Sequence, residues 1–303
     1  MVIAASETNA LQSISGRFRP WHRNRVRLLK RLGPTNRKKE MDFCGDKTQS
    51  AVPAVVYLSD VRDESPRYER TADAPRWLHP ELRATNGGGL TPRGFLLRGP
   101  RSPALLVFEP ETTTDAGGLR PAAIVCAGGG YAHMNPREGE PVARWLSGRL
   151  GLVSAVLRYR LDWPRARDDL HDAINWLASP EARTTYRIDA SRLLLVGFSA
   201  GAHLAAHGGA MPGVRGVVLV YPAASDAGGV PTVEEHSVPP AVYLVGSTND
   251  RLTPVVENAD VVAVRLRELG SRVVYQRSKL GAHGFGLTPK WATPAGAWIL
   301  SEI

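Results

Sequence analysis

Three short stretches of this sequence hold side chains that together could carry out acyl transfer: "GFSAG" (197–201), "GSTNDRLTP" (246–254) and "GAHGFG" (281–286). A serine hydroxyl is a weak nucleophile at neutral pH and needs a base within hydrogen-bond reach. Neutral His283 can take the proton of Ser199 and later hand it to a leaving alkoxide. Asp250 can hold the imidazole tautomer and stabilise the imidazolium that forms. Their order along the chain, Ser, Asp, His, is one of the known orders for such a triad. The pentapeptide lies between the apolar run "RLLLV" and the small-residue run "AHLAAHGGA", the context of a nucleophile elbow. In so sharp a turn, bulky residues two positions to either side would clash. Glycines at 197 and 201 relieve that crowding.

A fourth stretch, "CAGGGYAH" (126–133), follows the apolar "AAIV" and supplies three consecutive glycines. Such a loop can aim backbone N–H groups at the charge that develops on a carbonyl oxygen under attack. Gly129 and Gly130 are the expected donors, with the N–H of Ala200 as another. The rival reading, a phosphate cradle, lacks the Gly-Lys-Ser/Thr ending of a P-loop. Tyr131, His133 and Asn135 fall close to this loop, where Tyr131 and His133 can touch substrate.

Other ionisable groups carry less. His203 and His207 are four apart with metal-compatible spacing, but "HLAAH" lacks the glutamate of a zincin, and packing histidines are the expectation. His171 reads as a solvated position on an amphipathic helix. Glu257 and Asp260 are rival acids, but the pattern puts both inside a helix and not at a strand end. Neither a metal nor an organic cofactor is expected.

These residues need a frame that brings them to one edge. The runs 103–110, 121–129, 151–160, 192–197, 215–222, 240–247 and 272–278 read as strands. The stretches 139–150, 166–179 and 256–270, together with the segment after Ser199 and the C-terminal "ATPAGAWILSEI", read as helices. Continuous apolar strands such as "PAVYLV" suit burial on both faces. Alternation of this kind implies an α/β domain with a mainly parallel sheet and helices on both faces. In such sheets functional residues collect on loops at the carboxyl ends of strands. Residues 1–73 read as a basic, mostly irregular extension, 74–303 as the catalytic domain, and "TNGGGLTPRG" (85–94) as a loop. The connection after Pro222, "AASDAGGVPTVEEHSV", is short, polar and Gly-rich, so a minimal cap or none is expected.

The formal net charge of the 303 residues is +9. Residues 1–40 hold ten Lys/Arg against Glu7 and Glu40, which leaves the remainder almost neutral. That distribution argues against nucleic acid as partner of the body. Two cysteines, Cys44 and Cys126, cannot build a disulfide framework, and Cys126 reads as a small buried hydrophobe. No apolar run approaches the ~18 residues of a membrane span. A cytoplasmic location is the expectation, and the Arg-rich, acid-poor start leaves organelle targeting open.

Together "GGGYAHMNPREGEPVARWL", "AVLRYR", "GFSAGAHLAA" and "GAHGFGL" resemble the acetyl xylan esterase-like branch of the α/β-hydrolase superfamily, over roughly residues 75–303. The resemblance implies an α/β-hydrolase fold with nucleophile Ser199, acid Asp250, base His283 and an oxyanion loop at Gly129–Gly130. Ala127 stands where members often have proline, and the acid loop is a loose version of the usual one. The implied activity is a serine carboxylic-ester hydrolase that removes acetyl or other short acyl groups from a small-molecule or carbohydrate ester. A serine peptidase or amidase, and a non-catalytic binding protein of the same fold, are the alternatives.

Overall fold

The computed structural model of the chain describes residues 54–57, 103–110, 118–163, 165–224 and 238–303. The Arg-rich start, Cys44, the loop 85–94 and most of the connection after Pro222 lie outside the described residues. So does the expectation of a minimal cap, which rests on that connection.

Among the described residues eight strands form one sheet: β1 (Ala54–Tyr57), β2 (Ala104–Phe108), β3 (Arg120–Cys126), β4 (Val153–Arg158), β5 (Ile188–Phe198), β6 (Val214–Val220), β7 (Ala241–Ser247) and β8 (Arg272–Ser278). Their spatial order is β1-β2-β4-β3-β5-β6-β7-β8. β1 and β2 pair antiparallel, as do β2 and β4. Every pair from β4 across to β8 is parallel. Strand order reverses direction between β3 and β5, so the crossovers leave on opposite sides there and open a crevice at the carboxyl ends. The glycine loop follows β3 and Ser199 follows β5, so both border that crevice.

Among the described residues six α-helices cover the sheet: α1 (Glu140–Leu150), α2 (Arg165–Leu177), α3 (Pro180–Tyr186), α4 (Ala200–His207), α5 (Ala259–Glu268) and α6 (Pro289–Glu302). Strand side chains alternate between faces. Leu193 and Leu195 join a core with Leu170 and Ile174 of α2, Leu204 of α4 and Leu266 of α5. Phe198 points the other way and meets Trp291 of α6 at 5.7 Å between ring centroids; Trp291 in turn packs on Trp145 of α1. Helices therefore lie on both faces of a mainly parallel α/β sheet.

Two features depart from the expected pattern. β1 lies inside the segment 1–73 that reads as extension. Four residues, "AVVY", are too short to stand out by periodicity, and the strand is recognisable only once β2 offers an antiparallel edge. The second is α3. Its start is written in the sequence, since Ser179 caps it by accepting from the N–H of Ala182 and Pro180 opens its first turn.

Candidate active site

The chain leaves β5 through Ser199 with φ 51° and ψ −120°, a positive-φ conformation outside the helical basin, and enters α4 at Ala200. Holding a non-glycine residue there costs about 1–3 kcal/mol, which the packed surroundings must offset. The flanking glycines are steric requirements. A Cβ on Gly197 would strike the carbonyl of Gly201, and one on Gly201 would strike the carbonyls of Cys126 and Ala127. The Ser199 N–H is tied to the carbonyl of Val220 at 3.0 Å, so the elbow is fixed to β6.

The loops after β7 and β8 bring Asp250 and His283 to this serine. His283 Nε2 lies 2.9 Å from Ser199 Oγ, and His283 Nδ1 lies 2.8 Å from Asp250 Oδ2. Asp250 is buried, and its carboxylate accepts from the N–H groups of Leu252 and Thr253 and from the Thr253 hydroxyl. The Thr253 oxygen also stands 3.1 Å from His283 Nδ1. With every neighbouring donor aimed at Asp250, this network matches Nδ1–H donating to the carboxylate and Nε2 accepting from the serine hydroxyl. Ser247 at the end of β7 binds the two loops together. Its Oγ lies within hydrogen-bond reach of the Gly281 carbonyl and accepts from the Leu280 and Gly281 N–H groups.

On the other side of Ser199 runs the glycine loop. Gly129 has φ 135°, and a Cβ there would collide with the carbonyl of His133. Gly130 and Tyr131 follow at φ 62° and 55°. The N–H groups of Gly129, Gly130 and Ala200 donate to no acceptor among the described residues. The Gly128 N–H does have an acceptor, Glu138 Oε2 at 2.7 Å.

Glu138 is only 1% exposed, and its other oxygen accepts from Asn135 Nδ2 at 2.7 Å and from the Tyr221 hydroxyl at 2.8 Å. Burial pushes its carboxyl above the usual range, while the bonds from Gly128, Tyr221 and Asn135 pull it back. Three donors therefore converge on its two oxygens. The Tyr159 hydroxyl holds the root of the loop through the carbonyl of Ala127 at 2.5 Å. The adjoining Arg160 pairs with buried Asp169, its Nε 2.9 Å from Oδ1. The "AVLRYR" motif thus anchors the loop next to the serine.

His203 and His207 sit in an aromatic group. His203 Nδ1 is 2.9 Å from the Tyr131 hydroxyl, and the Trp163 ring lies 4.9 Å from His203 and 4.6 Å from His207. Burial, with His207 adding to it, pushes His203 down to about 4, so it is neutral at pH 7. Among the described residues no group of three His, Cys, Asp or Glu side chains gathers as a metal site. No helix among them is long and apolar enough to cross a membrane.

The structure brings Ser199, Asp250 and His283 together, with Ala200 next to the serine and Gly128, which opens the Gly129–Gly130 turn, against the Ser199 Cβ. His133 is half-buried beside Gly129. Tyr131 is half-buried with its hydroxyl turned to His203, and Asn135 gives its side-chain N–H to Glu138. Asp260 is in α5, bonded to Tyr275 and Arg277. Glu257 lies in the turn before that helix and not within it, because α5 starts only at Ala259. Sequence reasoning missed Thr253, Tyr221 and Glu138. The only signal for Glu138 was an acid in "EGEP" shortly after the glycines, and a surface acid reads the same way.

Residues 123–245 match a family described as alpha/beta hydrolase fold. That stretch contains the glycine loop, Glu138 and Ser199, and stops short of Asp250 and His283. An acetyl ester-xyloside bifunctional hydrolase from Caldicellulosiruptor lactoaceticus is similar at 26% identity and TM-score 0.57, over 71% of this chain and 98% of that one. An alpha/beta hydrolase enzyme from a Medee basin deep-sea metagenome is similar at 25% identity and TM-score 0.55, over 68% and 97%. A carboxylesterase from Lactobacillus plantarum shares the fold at 20% identity and TM-score 0.52, over 65% and 88%. No curated protein sequence matches the chain significantly.

Proposed function

Taking the chain as an α/β-hydrolase with esterases among its structural relatives, we propose that it is a serine carboxylic-ester hydrolase acting on short acyl groups. The observation that carries this reading is the continuous relay from Ser199 Oγ through His283 to Asp250, with Nε2 2.9 Å from the hydroxyl. Proposed nucleophile, base and acid sit within direct hydrogen-bond reach, and beside the nucleophile are N–H groups without partners among the described residues.

In the proposed reaction Ser199 Oγ attacks the ester carbonyl carbon while its proton passes to His283 Nε2. The negative charge that collects on the carbonyl oxygen is met by the N–H groups of Gly129, Gly130 and Ala200. Collapse breaks the bond to the alcohol oxygen, which leaves with the proton from Nε2, and an acyl-serine remains. Water then attacks the acyl carbon, gives a proton to Nε2, and Ser199 Oγ leaves and takes that proton back. The carboxylic acid is released. Asp250 stays ionised throughout and offsets the imidazolium charge.

An acetylated carbohydrate is the substrate class we favour. The first relative above acts, by its description, on acetyl ester and xyloside. Beside the glycine loop the Trp163 indole is 38% exposed and meets Tyr131 edge-on, and an exposed indole offers a flat apolar face with one donor to a sugar ring. The test is labelling by a fluorophosphonate together with kcat/KM for p-nitrophenyl esters of two to twelve carbons. Labelling at Ser199 with a maximum at two or three carbons is expected. A maximum at eight carbons or beyond would overturn the short-acyl reading, and an unlabelled chain would overturn the esterase reading. Faster cleavage of matched amides than esters would point to the amidase alternative.

A further inference from the structure

Beneath the site, one hydrogen-bonded chain crosses from the glycine loop to the histidine loop. It runs from the Gly128 N–H to Glu138 Oε2 at 2.7 Å, then from Glu138 Oε1 to the Tyr221 hydroxyl at 2.8 Å. The Tyr221 oxygen accepts the Gly286 N–H at 3.2 Å. Gly286 lies three residues beyond His283, and its carbonyl is held by Trp291 Nε1 at 2.8 Å. Tyr221 itself sits at φ 38° directly after β6, its ring 4.9 Å from the His283 ring and its N–H on the carbonyl of Val245. All members are buried, and no alternative solvent partner can replace a lost bond cheaply.

We infer that Glu138 is a positioning residue that locks the oxyanion loop and the histidine loop into one register, acting through Gly128 on one side and through Tyr221 and Gly286 on the other. The inference rests on the esterase reading above. By engaging the Gly128 N–H inward, the carboxylate sets the peptide orientation from which Gly129 and Gly130 present their own N–H groups toward Ser199. By fixing the Tyr221 hydroxyl, it offers the Gly286 N–H an oxygen of defined direction, and the His283 backbone is carried on that support. Glutamine cannot substitute. Whichever way its amide is turned, an NH₂ group faces either the Gly128 N–H or the Asn135 Nδ2 donor. Glu138 makes no hydrogen bond to Ser199 or His283, but its charge is within electrostatic reach of His283, so amide exchange and not kcat alone isolates the path through the two loops.

Two readouts on the full chain test this. In kinetics on p-nitrophenyl acetate, Glu138→Gln is expected to lower kcat about a hundredfold with KM little changed, the scale of a displaced oxyanion donor. Tyr221→Phe, which cuts only the second half of the chain, is expected to lower kcat about tenfold, and the double variant no further than Glu138→Gln alone, because groups acting through one path are not additive. In amide exchange followed by NMR in the Ser199→Ala background, Glu138→Gln should accelerate exchange at both Gly128 and Gly286. Tyr221→Phe should accelerate Gly286 only.

Simple loss of packing would not produce that split. Unchanged exchange at Gly286 in Glu138→Gln, or a double variant whose kcat loss equals the product of the single losses, would overturn the inference. If the native chain turned over no ester, the esterase reading would fail, and the exchange pattern would still decide whether Glu138 couples the loops. If Glu138→Gln did not fold, Tyr221→Phe alone would decide: a native kcat with native Gly286 exchange would sink the coupling.

Discussion

Two imidazoles lie near Ser199, and their surroundings differ in kind. His283 reaches the serine hydroxyl with one nitrogen and a buried carboxylate with the other. His203, one turn along α4, faces Tyr131, Trp163 and His207, with no carboxylate against it. Desolvation without a compensating anion pushes His203 down to about 4, so it stays neutral and packs like an aromatic ring. A base needs the opposite environment, one that tolerates the cation formed when it accepts a proton. On the proposed reading, proximity to the serine does not make a histidine a base; a carboxylate on its far nitrogen does. The motif "SAGAH" places His203 only four residues from Ser199, yet the partner that can act comes from a loop 84 residues away.

If this contrast is right, the largest losses should fall on the His283 side. Ser199→Ala or His283→Ala should each remove nearly all ester turnover, by up to about 10⁶ in kcat, since the two act as a unit. Assays on purified variants check this, and a tenth of the native rate remaining in either would break the assignment. Next, Asp250→Asn should cost about 10⁴ in kcat by favouring the wrong tautomer. Full activity in that variant would move the acid role elsewhere.

A smaller effect is expected at Thr253, whose hydroxyl donates to the same carboxylate oxygen as His283. Thr253→Val should lower kcat about tenfold, the equivalent of one charge-assisted hydrogen bond. A loss as large as that of Asp250→Asn would mean that Thr253 and not Asp250 orients the ring.

His203 supplies the sharpening case, because kinetics and stability should separate there. His203→Gln should change kcat less than about threefold, whereas Asp250→Asn changes it severely. Its mark should be on stability. The folded chain holds His203 down at about 4, against 6.5 for an ordinary imidazole. Between those values the unfolded chain binds the extra proton, so native stability is fully present above pH 6.5 and falls as pH drops toward 4. The slope from this one group is ~1.4 kcal/mol per pH unit at most. Denaturant titrations of native and His203→Gln chains across that window should show a shallower decline in the variant. Parallel curves would mean that His203 is not held neutral. The smallest effect is expected from chelation: EDTA should leave kcat/KM unchanged, and loss restored by zinc would return His203 and His207 to consideration as ligands.

Much of the site is readable from local sequence because its requirements are local. An elbow needs glycine two residues either side of the serine, since a Cβ at 197 or 201 would strike backbone carbonyls. A strand that ends beside Ser199 must be apolar to be buried on both faces, and "LLLVGF" (193–198) is. What could not be read has the same cause throughout. Glu138 is an acid in a polar stretch, and nothing near it in the chain shows that Tyr221, 83 residues on, will donate to it. Thr253 and Ser247 look like ordinary loop hydroxyls until β7 and β8 bring their loops together.

The sequence by itself determined the strand–helix alternation, the elbow and the order of the reactive side chains, because periodicity and glycine placement act within a few residues. Only the tertiary structure decided which histidine meets a carboxylate, which acid is buried and what each buried donor faces. Those outcomes depend on desolvation and hydrogen-bond partners, and both are properties of contacts between segments far apart in the chain.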